Sequence, residues 1–267
     1  MSEPLVSCLM VTRNRAALAA RAVRCFAAQS WGRRELVIVD DGTEDYAPML
    51  APWLSAGHAI RYHRLPPDPA RTLGAARNVS LELAQGDFVV QWDDDEWCHP
   101  DRLAVQMAAT PRLEVVLLDY TLMHLDTPEF VLHPYRANLG RGTPGTVLHR
   151  RGPVRYPELA RGEDSKYLTQ LLRRYPGGLA DVPHSHLFIR CFHGQNTWDR
   201  RHFEERLHRT ATETLHYLWA RWVRRDLFSH PAFRLTELER EAFERFLKES
   251  VELGLLQANV PGVSGEG

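Results

Sequence analysis

The chain has 267 residues, 44% hydrophobic and 25% charged, an ordinary globular balance long enough to bury a full α/β core. Lysine and arginine together number 33 against 34 acidic residues, and the formal net charge of −1 argues against a nucleic-acid binder. Only Lys166 and Lys248 are lysines, so the basic side is almost all arginine, a composition compatible with phosphorylated ligands because guanidinium binds phosphate bidentately.

Residues 5–11 form a short apolar run, the pattern of a strand buried on both faces. Residues 15–29 are Ala-rich, with Ala19, Val23, Phe26 and Ala27 at helical spacing. A second strand over 35–39 closes with Asp40-Asp41-Gly42, and a third over 60–62 precedes a Pro-rich turn at 65–69. A helix over 72–85 ends at Gly86, and a fourth strand over 88–92 runs into Asp93-Asp94-Asp95. Strands alternating with helices predict a mostly parallel sheet flanked by helices. The looser second half predicts helices over 103–107 and 164–175, and strands over 115–120, 146–148 and 187–192. In the tail, Phe203, Leu207, Ala211, Leu215, Leu218 and Trp222 fall on one helical stripe. Thr236 and Glu239 make a capping box before a last helix carrying Leu238, Phe243, Phe246 and Leu247, and residues beyond 259 are expected to fray.

Cys8, Cys25, Cys98 and Cys191 lie far apart with no CxxC pair, so neither a disulfide framework nor a structural zinc site is suggested. No window approaches the ~20 apolar residues of a membrane span. The first residues lack the basic start and apolar core of a signal peptide, so a cytoplasmic location is expected.

Ligands of open parallel sheets sit at the carboxyl ends of the strands. Three polar clusters fall there: Thr12-Arg13-Asn14-Arg15, Asp40-Asp41 and Asp93-Asp94-Asp95-Glu96. The first βα turn has no glycine, which excludes the dinucleotide-binding fingerprint. Carboxylates crowded at one strand end repel each other unless a cation or basic group neutralises them. Mg²⁺ is commonly held by one or two carboxylates plus substrate phosphates. Taken alone, the acidic run reads equally well as a solvated loop or a helix cap before Pro100.

Together the clusters carry more. Residues 6–15, Val-Ser-Cys-Leu-Met-Val-Thr-Arg-Asn-Arg, resemble the opening strand of family 2 glycosyltransferases with the GT-A fold. Residues 35–42 are similar to that family's second strand. Ala76-Arg77-Asn78, residues 84–87 and the strand into Asp93-Asp94-Asp95 resemble its third block and DxD motif. Order and spacing agree over about the first hundred residues, with one departure: Arg13 stands where the family often has Tyr, although guanidinium also stacks on a base. More weakly, Gly162-Glu163-Asp164 resembles the ED motif, Thr143-Pro144-Gly145-Thr146 a small-residue segment beside the donor sugar, and His193-Gly194-Gln195-Asn196-Thr197 a late His motif.

The resemblance implies a metal-dependent, inverting glycosyltransferase using a nucleotide-diphosphate sugar, UDP- or dTDP-linked first. Residues 1–200 would be the GT-A domain, a Rossmann-like α/β sheet with donor half 1–120 and acceptor half 121–200, followed by a helical extension over 201–267. Asp95, with Asp93 direct or through water and His193 close by, would hold Mn²⁺ or Mg²⁺, and Asp164 would be the catalytic base. Asp41 would accept the imide N–H of the base, with Val11, Arg13 and Asp94 also on the nucleotide, and Arg77 binding phosphate or holding the acidic loop. A non-catalytic nucleotide-sugar binding module is the alternative. A sugar nucleotidyltransferase would need a Gly-rich basic loop that Thr12-Arg13-Asn14-Arg15 does not supply. The acceptor, whether glycan, lipid-linked or a small molecule, is not specified. The Trp219–Arg225 stretch is expected to pack on the core or a dimer partner, with contact to an anionic membrane as the second reading.

Overall fold

The computed structural model describes residues 3–138, 140, 142–180, 184–194, 196 and 199–257. The apolar runs become the parallel strands β1 (Val6–Thr12), β2 (Arg34–Asp40) and β4 (Phe88–Gln91), and the polar edge strand β3 (Ile60–Arg64) pairs parallel to β2. Helices α1 (Ala16–Ala27), α2 (Ala47–Ser55) and α3 (Leu73–Leu83) connect them, α3 starting at Thr72, whose side chain accepts the Ala75 N–H. The chain continues through β5 (Trp97–Cys98), α4 (Arg102–Ala109), β6 (Val115–Leu117), β7 (Tyr120–Leu125), β8 (Tyr135–Asn138), β9 (Leu148–Arg150), α5 (Glu163–Arg174), β10 (Gly177–Leu179) and β11 (Phe188–Phe192). The tail holds α6 (Arg200–Glu204), α7 (Ala211–Leu218) and α8 (Glu237–Glu252).

Seven strands form the main sheet in the order β10-β6-β9-β4-β1-β2-β3, all parallel except β9, which runs against both neighbours. A smaller sheet, β5-β11-β7-β8, stands beside it. Successive strand residues face opposite sides of the sheet. Cys8, Met10, Leu36 and Ile38 therefore join a core with Phe26, Trp92 and Phe246, while Leu9, Val37 and Val39 join another with Leu81, Tyr167 and Leu171.

Three expectations need correction. The single strand expected over 115–120 is split after Leu117, because the chain leaves the main sheet and re-enters the smaller one at Tyr120. The segment expected as a strand over 146–148 begins as a 3₁₀ turn, Pro144–Thr146, and pairs antiparallel only from Leu148. The tail stripe is not one helix face: Thr210 and Glu213 form a second capping box that starts α7 afresh. Phe203 and Leu207 are buried before that break, whereas Leu215, Leu218 and Trp222 beyond it face solvent. The last helix is as expected from its capping box, with Phe243, Phe246 and Leu247 in the core and Leu238 exposed. Its buried Glu239 caps the helix, pairs with Arg136 and accepts from Ser185. Among the described residues, no helix is long and apolar enough to cross a membrane. The tail beyond 259, Gln195 and Thr197 lie outside the described residues.

Candidate active site at the carboxyl edge of the sheet

The ends of β1, β2 and β4 meet at a polar cleft of about 300 Å³, lined by Val11, Arg13, Arg15, Arg77, the acidic loop after β4 and the start of α5. Parallel register sets Thr12 beside Asp40, and Thr12 Oγ1 donates to Asp94 Oδ2 at 2.7 Å, linking the first strand to the acidic loop. Asp40 is fully buried and accepts from Gly42 N at 2.7 Å and Tyr62 Oη at 2.7 Å, so it holds the turn after β2. Asn14, with φ +53°, lies against that turn and accepts from the backbone of Thr43 and Glu44. A Cβ at Gly42 would sit 2.7 Å from Asn14 N, which is why the turn takes glycine.

The acidic run is neutralised residue by residue. Asp93 accepts from Arg77 Nη2 at 2.9 Å and from Gln91 Nε2 at 2.9 Å. Arg77 in turn reaches Glu163 at 3.2 Å, tying the acidic loop to the start of α5. Asp95 Oδ2 lies 3.2 Å from Arg15 and 3.3 Å from His193 Nε2, and its carbonyl accepts from Arg21 Nη2 at 2.7 Å. Burial opposes ionisation of Asp95, but the His193 contact and the charge of Arg15 outweigh it and hold its carboxyl below the usual range. Asp94, buried beside the ionised Asp95, is pushed up. Burial and the same neighbour push Glu96 up to about 8, although Cys191 N donates to it and Arg190 lies 3.6 Å away.

Asp41 is paired with Arg71 and stands 3.8 Å from Arg13, which lines the cleft. The turn at Gly42 is capped by Asp40, so the Asp41 carboxylate has no capping task there. Glu163 is buried against Arg77, and burial pushes its carboxyl up. Asp164 instead lines the cleft: its Oδ1 accepts from Ser165 N at 2.6 Å, and among the described residues Oδ2 accepts no hydrogen bond. A second cleft of about 340 Å³ shares Asp93, Glu96, Asp164 and Arg190 with the first, so the two meet at Asp164. Gly145 lines the second, and a Cβ there would approach Asp93 Oδ2 to 3.0 Å.

No group of three metal-ligating side chains is assembled among the described residues. Asp95 and His193 nevertheless converge within 3.3 Å at the loop lining the cleft, and that pair fits a divalent ion completed by substrate phosphates. Asp93 is turned to Arg77 and Gln91. Sequence reasoning put Arg15 in the polar cluster after the first strand without giving it a role, and missed Arg21 and Arg190: in so arginine-rich a chain no spacing singles them out.

The comparisons with known proteins agree with this arrangement. The chain is 33% identical over 112 residues to WcaA of Escherichia coli K12, named for colanic acid biosynthesis, and 31% identical over 125 residues to the succinoglycan biosynthesis protein ExoO of Rhizobium meliloti. These alignments cover 42% and 43% of this chain, and only 40% and 35% of the relatives. Staphylococcus aureus TarS 1-349, solved with UDP, superposes with a TM-score of 0.54 at 16% identity, covering 96% of this chain and 81% of that one. The mannosyltransferase PcManGT of Pyrobaculum calidifontis, solved with GDP-Man and Mn²⁺, gives 0.55 at 18% identity, covering 98% and 77%. Both show the same fold, a GT-A sheet. The profile described as glycosyl transferase family 2 matches residues 7–226, and the chain therefore belongs to that family of glycosyltransferase enzymes.

Proposed function

We propose that the chain transfers a sugar from a nucleoside-diphosphate sugar to an acceptor hydroxyl with inversion at the anomeric carbon. The observation that carries this reading is the junction of two clefts at Asp164, one running to the sheet edge and the acidic loop, the other leading away from it. Asp164 takes the proton of the attacking hydroxyl with its unengaged Oδ2. Asp95 and His193 would hold Mn²⁺ or Mg²⁺, which supplies positive charge against the developing charge of the leaving diphosphate. Arg77 holds Asp93 and Glu163 in place rather than reaching for phosphate. Residues 1–120 form the donor half, 121–200 the acceptor half and 201–267 the extension. TarS and PcManGT, solved with UDP and with GDP-Man and Mn²⁺, support the donor class.

Asp41 tests the donor. An ionised carboxylate only accepts hydrogen bonds, so it suits the N3–H of uracil or thymine, tolerates the N1–H of guanine and faces the bare N3 of cytosine unfavourably. With Arg13 3.8 Å from it and Val11 lining the cleft, UDP and dTDP are expected to bind best, GDP next and CDP worst, a spread of about tenfold to a hundredfold. Asp41→Ala should flatten that ranking. Dissociation constants for the four diphosphates on both proteins decide, and tightest binding of CDP by the parent would overturn this pocket.

Around α7 the tail does not pack on the core of its own chain: Leu215, Trp219 and Trp222 are 68%, 58% and 71% exposed. With Leu218 and Val223 they form an apolar stripe across α7 and the following π turn, Trp219–Arg224, bordered by Arg221, Arg224 and Arg225. We assign this face to an anionic bilayer, because tryptophans at the headgroup level and arginines near acidic lipid complement it. Cosedimentation with phosphatidylglycerol vesicles is expected for the parent and lost by at least tenfold in the Trp219→Ser/Trp222→Ser variant. Absent binding, with a concentration-dependent dimer in its place, would contradict it.

A further inference from the structure

The second cleft has basic side chains of its own. Beyond the acidic residues it shares, it is lined by His202, Arg206 and Arg209, with Arg190 at the junction. Arg190 is 3.6 Å from Glu96 and lies over the Phe203 ring. Arg206 has no such neutralisation. Its Nη2 meets only His202 Nε2 at 2.9 Å, and its Nε is buried without a hydrogen-bond partner. Burial, with the charges of Arg190 and Arg209, holds its guanidinium below the usual value. Among the described residues, neither Arg206 nor Arg209 has a carboxylate within ion-pair distance. Arg71, Arg77 and Arg136, by contrast, are paired: Arg71 with Asp41, Arg77 with Asp93 and Glu163, Arg136 with Glu239.

The same cleft carries a second unanswered polar group. Thr143 is buried in its wall, yet its Oγ1 has no partner among the described residues. A buried hydroxyl without a hydrogen bond costs free energy, as does a partly buried guanidinium such as Arg206 beside like charges. The segment carrying the arginines is firmly placed: Phe203 and Leu207 are buried, and Tyr135 Oη donates to Phe203 O at 2.7 Å. One ligand answers all these groups: a tetrahedral oxyanion, which takes bidentate guanidinium contacts and also accepts from a hydroxyl.

We propose that the second cleft binds the acceptor through a phosphate group held by Arg206, Arg209 and Thr143. This deepens the transferase reading and rests on it, since Asp164 at the junction would face the acceptor hydroxyl. In the reaction that hydroxyl gives its proton to Asp164 and forms the new bond to the anomeric carbon. The bond from that carbon to the donor diphosphate breaks, its electron pair leaving with the nucleoside diphosphate. The acceptor phosphate is unchanged and serves only as a handle.

The test is calorimetric titration of inorganic phosphate into the full chain already saturated with its preferred nucleoside diphosphate and Mg²⁺, so that the donor cleft is filled. Saturable phosphate binding is expected. The Arg206→Gln/Arg209→Gln variant should weaken it at least tenfold, and Thr143→Val severalfold, both with unchanged nucleoside-diphosphate affinity, which also reports that they fold. Competition against phosphate separates the sources: displacement by glucose 1-phosphate assigns a soluble phosphosugar, and displacement only by dodecyl phosphate in micelles assigns a lipid-linked acceptor. No phosphate binding to the nucleotide-loaded enzyme, or undiminished binding in the double variant, would overturn the proposal. Failure of every nucleoside diphosphate to bind would instead overturn the donor reading, and the acceptor assignment with it.

Discussion

Asp164→Asn is expected to slow sugar transfer by about 10²- to 10⁴-fold, the usual contribution of a positioned general base, while leaving nucleoside-diphosphate affinity nearly unchanged. The expectation follows from location. Asp164 lines both clefts, one oxygen is steadied by Ser165, and the other is left to the cavity. Asparagine keeps the shape and the Ser165 contact but cannot take a proton. The adjacent Glu163 is the comparison: it is buried and committed to Arg77, so its removal should be felt as lost stability of the loop rather than as a lost proton acceptor. Steady-state transfer rates, with donor affinity measured separately, check the split. A parental rate in Asp164→Asn would show that Asp164 is not the base.

Much of the donor half could be read from the chain because its determinants are local. β1, β2 and β4 are continuous apolar runs, and strands buried on both faces have little other way to appear. α2 left no such mark: Pro48 and Pro52 interrupt its pattern, and only Leu50 is buried. β5, β8 and β10 are two to four residues long and depend on partners distant in sequence. The break in the tail has a sequence signal of its own. Thr210-x-x-Glu213 is the same capping box recognised at Thr236-x-x-Glu239, and it marks the restart that breaks the stripe.

The site divides in the same way. The acidic run Asp93-Asp94-Asp95 is visible at a strand end, the family resemblance adds Arg77, Asp164 and His193, and the fold brings all six around one cleft or its acidic loop. The pairing of Asp41 with Arg71, and of Asp95 with Arg15, arises from side chains 30 and 80 residues apart and has no sequence signature. The basic lining of the second cleft depends on α6 and the turn after it folding back to Arg190, which local pattern cannot convey.

Asp95→Asn reaches furthest into the proposed chemistry. His193 and Arg15 hold its carboxyl below the usual range, and Asp95 with His193, 3.3 Å apart, is the proposed hold on a divalent ion. Altering the partners of metal ligands commonly costs about 10- to 100-fold in metal affinity, and replacing a ligand itself should cost at least as much. The decisive measurement is therefore calorimetry of UDP binding with and without Mn²⁺, on the parent and on Asp95→Asn. Mn²⁺ should tighten binding to the parent by tenfold or more, and that gain should vanish in the variant while the metal-free affinity stays comparable. An equal Mn²⁺ gain in both proteins would show that the acidic loop after β4 does not hold the ion.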